Sequence, residues 1–163
     1  MRSAKAMALV AASAIGVAML CVPATAMSAR LVWNFTPSIP TGLCSLEDRP
    51  WVRGDRVALK PSGLLLAELQ EAAVLKEGRL LMKRVAAVAG DTVCRMGLQV
   101  SVNATPAAFA RADRALPAWS GCVLLQPGDV FLLGETEDSF DGRYFGVTSA
   151  TDVVGPVQSM LTF

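Results

Sequence analysis

The feature that most constrains this chain is an uncharged stretch over residues 6–29, preceded by Arg2 and Lys5 and followed by Arg30. As a helix rising 1.5 Å per residue, it is long enough to cross a hydrocarbon core of about 30 Å. The basic residues ahead of it place the N-terminus in the cytoplasm and everything after Arg30 on the other side. The expected organisation is a cytoplasmic N-terminus and membrane anchor at 1–30, then one extracytoplasmic domain at 31–163. Ala24-Thr25-Ala26 also satisfies the small-x-small rule of a cleavable signal peptide. The length of the apolar run favours a retained anchor, and Pro23 leaves the exit residue of the helix open.

The chain has 163 residues, so removing this segment leaves roughly 130 for a single compact core. Fifteen basic and fourteen acidic residues give a formal charge of +1, too small a field to gather nucleic acid. There is no histidine at all. That excludes every Ser-His, Cys-His and His-ligated zinc mechanism, leaving Lys, Asp, Glu or an amine as general base. The four cysteines, Cys21, Cys44, Cys94 and Cys122, contain no CxxC pair, which argues against a zinc knuckle or a thioredoxin-like site. No metal or cofactor is expected.

Residues 34–43 are rich in Pro, Thr and Ser and end near Gly42, so they form an extended or turning segment that presents side chains without a helix. Short β-prone runs follow at 57–59, 80–88, 92–95, 98–102, 122–125, 130–133 and 153–157, separated by Gly, Pro, Asn or Asp. One helix is expected after Ser62 as its cap, with Leu65, Leu69 and Ala72 on one stripe and Gly78 closing it. Residues 104–119, flanked by Pro106 and Pro117, read as an inserted loop. The body is therefore mainly β with one short helix.

Within this frame a serine needs a partner that removes its proton, and a lysine buried among apolar groups can supply a neutral amine. Lys83 follows Leu80, Leu81 and Met82 and precedes 85–89, a segment apolar enough for a core. On a strand, Lys83 would face inward and Arg84 outward. The residues alone equally allow Lys83 to be a surface lysine at a strand edge, and Ser38 a turn residue between two prolines.

Four ordered boxes change that balance: Ser38-Ile39-Pro40-Thr41-Gly42, then Gly54-Asp55-Arg56-Val57, then Lys83-Arg84-Val85 with Gly90-Asp91, then residues 134–146 containing Ser139, Asp141 and Arg143. Together they resemble the type I signal peptidases, family S26. Ser38, Pro40, Gly42 and Leu43, with Leu116-Pro117-Ala118-Trp119-Ser120-Gly121-Cys122, are most similar to the conjugative transfer peptidases of the TraF type. The resemblance implies a signal-peptidase-like β catalytic domain behind a single N-terminal transmembrane helix. It implies Ser38 as nucleophile and Lys83 as general base. Thr36 would assist the oxyanion hole, Ser139 would hold the lysine, and Asp141 with Arg143 would support the site. Gly142 stands where general enzymes commonly carry a serine, and Glu135 where they carry an aspartate.

Cys94 and Cys122 lie together in the β body on the oxidising side of the proposed membrane, so a disulfide is expected between them. It would close a loop of about 29 residues, worth roughly 3.5 kcal/mol in the chain-entropy description. Cys44 is left as a spare thiol, a rival partner or a nucleophile outside the Ser-x-Pro-x-Gly pattern. Cys21, within the anchor, is read as a small apolar residue.

The function expected is a membrane-anchored serine endopeptidase acting on exported or membrane-bound precursors. The resemblance implies a pilin-like subunit, other conjugation proteins as partners, and an inner-membrane location with the catalytic domain in the periplasm. General removal of secretory signal peptides is the enzymatic alternative. A catalytically silent, membrane-tethered assembly factor is the non-enzymatic one, and the presence of both Ser38 and Lys83 counts against it.

Overall fold

A computed structural model describes residues 31–71, 75, 78–113 and 119–163. The expected membrane segment, the cue at 116–118 and the far end of the expected helix lie outside the described residues. Residues from Val32 to Phe163 form one compact unit. Among the described residues no helix is long and apolar enough to cross a membrane.

Among the described residues, eleven strands make two sheets. The larger contains β1 (Leu31–Asn34), β2 (Gly42–Leu46), β3 (Arg56–Leu59), β4 (Leu81–Val88), β9 (Asp129–Leu133), β10 (Thr148–Ser149) and β11 (Val153–Thr162), in the spatial order β1-β2-β11-β3-β4-β9-β10. The smaller contains β5 (Thr92–Met96), β6 (Gln99–Val102), β7 (Thr105–Phe109) and β8 (Gly121–Leu124), in the order β7-β6-β5-β8. The ladders from β2 through β10 in the larger sheet, and all those of the smaller, are antiparallel. The helix α1 spans Gly63–Glu71, and a single turn, α2, spans Gly142–Phe145.

The mainly β reading therefore holds, and β3, β4, β5, β6, β8 and β9 fall within a residue or so of where the apolar runs place them. Three details differ. Residues 105–109, expected in a loop, form β7, an edge strand that tolerates Pro106 because its exposed side needs no ladder donor. The strands β1 and β2 replace part of the expected turn segment, because β11 runs to Thr162 and offers β2 a partner from the far end of the chain. Gly42 is required there: at φ 135° its missing Cβ would lie 1.9 Å from the Leu161 carbonyl oxygen. Finally, the Ser62 hydroxyl bonds Asp152 at 2.7 Å instead of capping α1, and only its backbone carbonyl receives a helix amide, that of Leu66.

Apolar side chains of β3, β4 and β9 meet α1, Phe140 and Tyr144 in one core cluster. A second fills the space around Val93, Val100, Phe131 and Leu133, joining the two sheets. A third holds Ile39, Cys44, Ala58, Met82 and Val157. Cys94 and Cys122 stand directly opposite each other on β5 and β8 and are disulfide-bonded, as expected. Cys44 is a free, fully buried thiol whose Sγ donates to Ser159 Oγ at 4.0 Å.

Candidate active site

Lys83 sits in the middle of β4, directly opposite Val57 of β3. Strand alternation puts it on the same face as Leu81 and Val85, both members of the first core cluster. Its side chain is 1% exposed, while Arg84 points to solvent. Burial pushes the Lys83 ammonium down to about 8, because the charged form loses water that apolar neighbours cannot replace. Desolvation is the largest cause; Asp141 opposes the shift and Arg143 reinforces it.

Ser38 lies in the turn between β1 and β2, held by its neighbours. Ile39 is buried in the third core cluster, and the Glu135 amide donates to the Ser38 carbonyl at 2.6 Å. The turn is organised by Asn34, a buried residue that sequence reading passed over. Asn34 Nδ2 donates to the carbonyls of Thr36 (2.8 Å), Ile39 (3.0 Å) and Pro40 (3.0 Å), while its Oδ1 accepts from Thr36 N at 3.2 Å. An asparagine bonding the backbone two residues ahead, in a stretch already rich in turn formers, is the signal that was available.

The two elements bring their side chains together. Lys83 Nζ donates to Ser38 Oγ at 2.7 Å and to Ser139 Oγ at 2.8 Å, and Ser139 Oγ donates to Ser38 Oγ at 3.2 Å. All three groups are buried. The triangle opens into a cavity of about 170 Å³ bounded also by Thr36, Thr136 and Phe140. Thr36 thus lies beside Ser38, with its hydroxyl donating to Asn34 Oδ1 at 3.2 Å.

Ser139 is placed by the loop from β9 to α2. Gly134 starts that loop, and any Cβ there would fall 2.0 Å from Ser139 Oγ. Asp141 accepts from Gly134 N at 2.7 Å and caps α2 by accepting from Arg143 N at 3.0 Å. Its carboxylate meets the Arg143 guanidinium through two bonds, 2.9 and 2.7 Å. Arg143 in turn donates to the carbonyls of Thr136 (2.7 Å) and Glu137 (2.9 Å), closing the loop on itself. From the second sheet, buried Arg95 donates to the Arg143 carbonyl. Two other acids of this loop are also paired: Glu135 bonds Arg56 and Asp138 bonds Arg111. Gly142 is enforced, since a Cβ would come within 2.7 Å of the Phe131 ring, so the serine of general enzymes does not fit. Among the described residues no group of acids and cysteines is placed to hold a metal ion.

Comparison with known proteins identifies the family of the chain. The family described as signal peptidase, peptidase S26, matches residues 2–162. A probable conjugal transfer protein TraF from Sinorhizobium fredii is 35% identical over 80% of this chain and 76% of its own length. A plasmid transfer protein TraF from Escherichia coli is 31% identical over 91% and 92%. A conjugal transfer protein TraF from Agrobacterium tumefaciens is 30% identical over 100% and 99%. Among solved structures, a signal peptidase I from Enterococcus faecalis superposes with a TM-score of 0.40 at 19% identity, covering 68% of this chain and 98% of that one.

Proposed function

The chain belongs to the signal peptidase family S26, and from that premise we propose that it is a serine endopeptidase working through a Ser38–Lys83 dyad. The observation that carries the reading is the 2.7 Å contact between Lys83 Nζ and Ser38 Oγ in a buried, histidine-free site. With Lys83 near 8, roughly one molecule in ten holds a neutral amine at pH 7, against about one in three thousand for an ordinary lysine. The neutral amine accepts the Ser38 proton as Oγ attacks the scissile carbonyl. The resulting ammonium then gives a proton to the departing amine, and water releases the acyl group by the same base.

Ser139 keeps Nζ aimed at Ser38, since its hydroxyl holds a second direction of the amine. The oxyanion is assigned to the Ser38 backbone N–H and the Thr36 hydroxyl. Thr36 spends its proton on Asn34 in the resting site, so its help requires the hydroxyl to rotate toward the cavity. Asp141 and Arg143 fix the loop that carries Ser139.

The substrate we propose is an exported or membrane-bound precursor, a pilin-like subunit of a conjugative apparatus. Support comes from relatives that are named as conjugal or plasmid transfer proteins. An inner-membrane location with the body in the periplasm rests on the uncharged stretch 6–29 after Arg2 and Lys5, and on a disulfide of the kind that persists in oxidising compartments.

The test is cleavage of a candidate precursor by the full chain in detergent or membranes, with Ser38→Ala and Lys83→Ala alongside. Each variant is expected to lose at least about a thousandfold in kcat while staying folded. Full turnover by either variant would overturn the dyad. Cleavage of ordinary secretory precursors in preference to the pilin-like one would redirect the substrate assignment to general signal-peptide removal.

A further inference from the structure

The loop that carries Ser139 is bonded mainly to itself. Apart from a 3.4 Å contact with the Phe109 carbonyl, the side-chain bonds of Asp141 and Arg143 among the described residues all end within residues 134–143. Such bonds set the shape of the loop without setting its place on the sheet. Its ion pairs to Arg56 and Arg111 are exposed and contribute little. One end is fixed where the Glu135 amide holds the Ser38 carbonyl, and the other end is α2.

A single helical turn leaves most of its carbonyls without partners in the turn itself. In α2, two of them receive side chains from elsewhere. Buried Arg95 of β5 donates Nη1 to the Arg143 carbonyl, and Trp119, just ahead of β8, donates Nε1 to the Gly142 carbonyl at 2.8 Å. Arg95 Nε bonds the Gly97 carbonyl at 3.1 Å, so a guanidinium taken out of water at a cost is given to two backbone carbonyls. Its strand is paired on both sides, by β6 and β8, which makes it a rigid support. The Trp119 ring stands edge-on to Phe131, with centroids 6.0 Å apart, and a Cβ at Gly146 would come within 3.3 Å of its Cδ1. Neither Arg95 nor Trp119 lines the cavity beside Ser38.

We infer that Arg95 and Trp119 are positioning residues of the peptidase: by holding two carbonyls of α2 they place Ser139 so that Lys83 Nζ stays on Ser38 Oγ. The inference rests on the peptidase reading of the Ser38 site and adds to it two residues outside the cavity. The path between them is short. Gly142 and Arg143 follow Asp141, which caps α2 and holds the Gly134 amide, and Ser139 lies two residues before that cap. Phe140, in between, stacks on Tyr144 with centroids 5.4 Å apart, and the Tyr144 hydroxyl accepts from the Arg111 amide at 3.0 Å. The turn therefore cannot slide without carrying Phe140 and Ser139 with it. A misplacement of about 1 Å in a catalytic constellation costs on the order of a hundredfold, so losing one clamp is felt in turnover more than in substrate binding.

The experiment has two readouts, one of them independent of turnover. The full-length chain in detergent is compared with Arg95→Met, with Arg95→Lys, which keeps a donor, and with Trp119→Phe, which loses the N–H but keeps a ring against Phe131. Hydrogen exchange read by mass spectrometry is expected to quicken about tenfold over residues 143–146 in Arg95→Met and Trp119→Phe, with β4 unchanged. On a precursor peptide, kcat is expected to fall about tenfold in both with KM within about twofold, and Arg95→Lys to recover part of the loss. In a Ser139→Ala background the same substitutions are expected to lower kcat by less than about twofold more, because the group they place is gone. A merely structural role would add in full. Trp119→Phe, the milder change, decides if Arg95→Met does not fold. Unchanged exchange in α2, unchanged kcat despite faster exchange, or a full additive loss on top of Ser139→Ala overturns the positioning role. Absence of turnover in the unsubstituted chain sinks the peptidase reading instead, and exchange then decides whether Arg95 and Trp119 hold α2.

Discussion

The two sheets handle free energy in opposite ways. The seven-stranded sheet buries an amine, Lys83, opposite Val57 and beside Leu81 and Val85, with only hydroxyl groups bonding it directly. The four-stranded sheet instead closes β5 onto β8 with a disulfide and ties Asp91 to Arg53 and Asn103. One region buries a costly amine, and the other supplies covalent and ionic restraint at a distance. Stability and chemistry are thus assigned to different parts of the fold, an arrangement expected where a site must violate ordinary burial rules.

The sharpest way to break this contrast is at the junction between the regions. Arg143→Met leaves the fully buried Asp141 carboxylate without its cation, a change expected to cost roughly 3–5 kcal/mol in urea denaturation. It should also move the activity profile toward alkaline pH, because Asp141 raises the Lys83 pKa and Arg143 lowers it. A variant of normal stability and unchanged profile would show that the pair does not tune the amine.

Replacing both Cys94 and Cys122 by Ala tests the second region. About 3.5 kcal/mol of stability should be lost, while kcat at a temperature where the variant stays folded changes by less than about twofold. A fall in kcat comparable with that of Ser38→Ala or Lys83→Ala would dissolve the separation between the sheets.

The third test isolates the cost of Lys83 itself. Its folded pKa is depressed from 10.5 to about 8, so between those values the unfolded chain binds a proton that the folded chain does not. Stability contributed by this group therefore rises with pH across that window, by about 3 kcal/mol in total. Lys83→Met should lack this rise. Parallel stability curves for the two proteins from pH 8 to 10.5 would contradict the desolvation account.

Much of the framework was legible because strands such as β4 and β9 are largely apolar runs bounded by turn residues. The missed strands β1, β2, β7 and β10 are short, partly polar and defined by partners far away in the chain or at a sheet edge, information that local pattern does not hold. Absence of histidine narrowed the base to few residue types, but spacing alone left Lys83 and Ser38 as ordinary residues until family resemblance paired them. The supporting groups divide similarly. The Asp141–Arg143 bond follows from neighbours two residues apart, whereas the need for glycine at 134 and 142 arises from Ser139 and Phe131 closing in through tertiary packing. Asn34 is the residue that turn chemistry alone announces.

The central claim is that Ser38 is activated by a desolvated, neutral Lys83. Its most direct test is the pH dependence of kcat/KM for a single precursor. A one-proton rise with a midpoint about 8 is the predicted result, set by the free chain's amine. A rate flat across that midpoint, or one that rises only near the ordinary lysine value of 10.5, would contradict it.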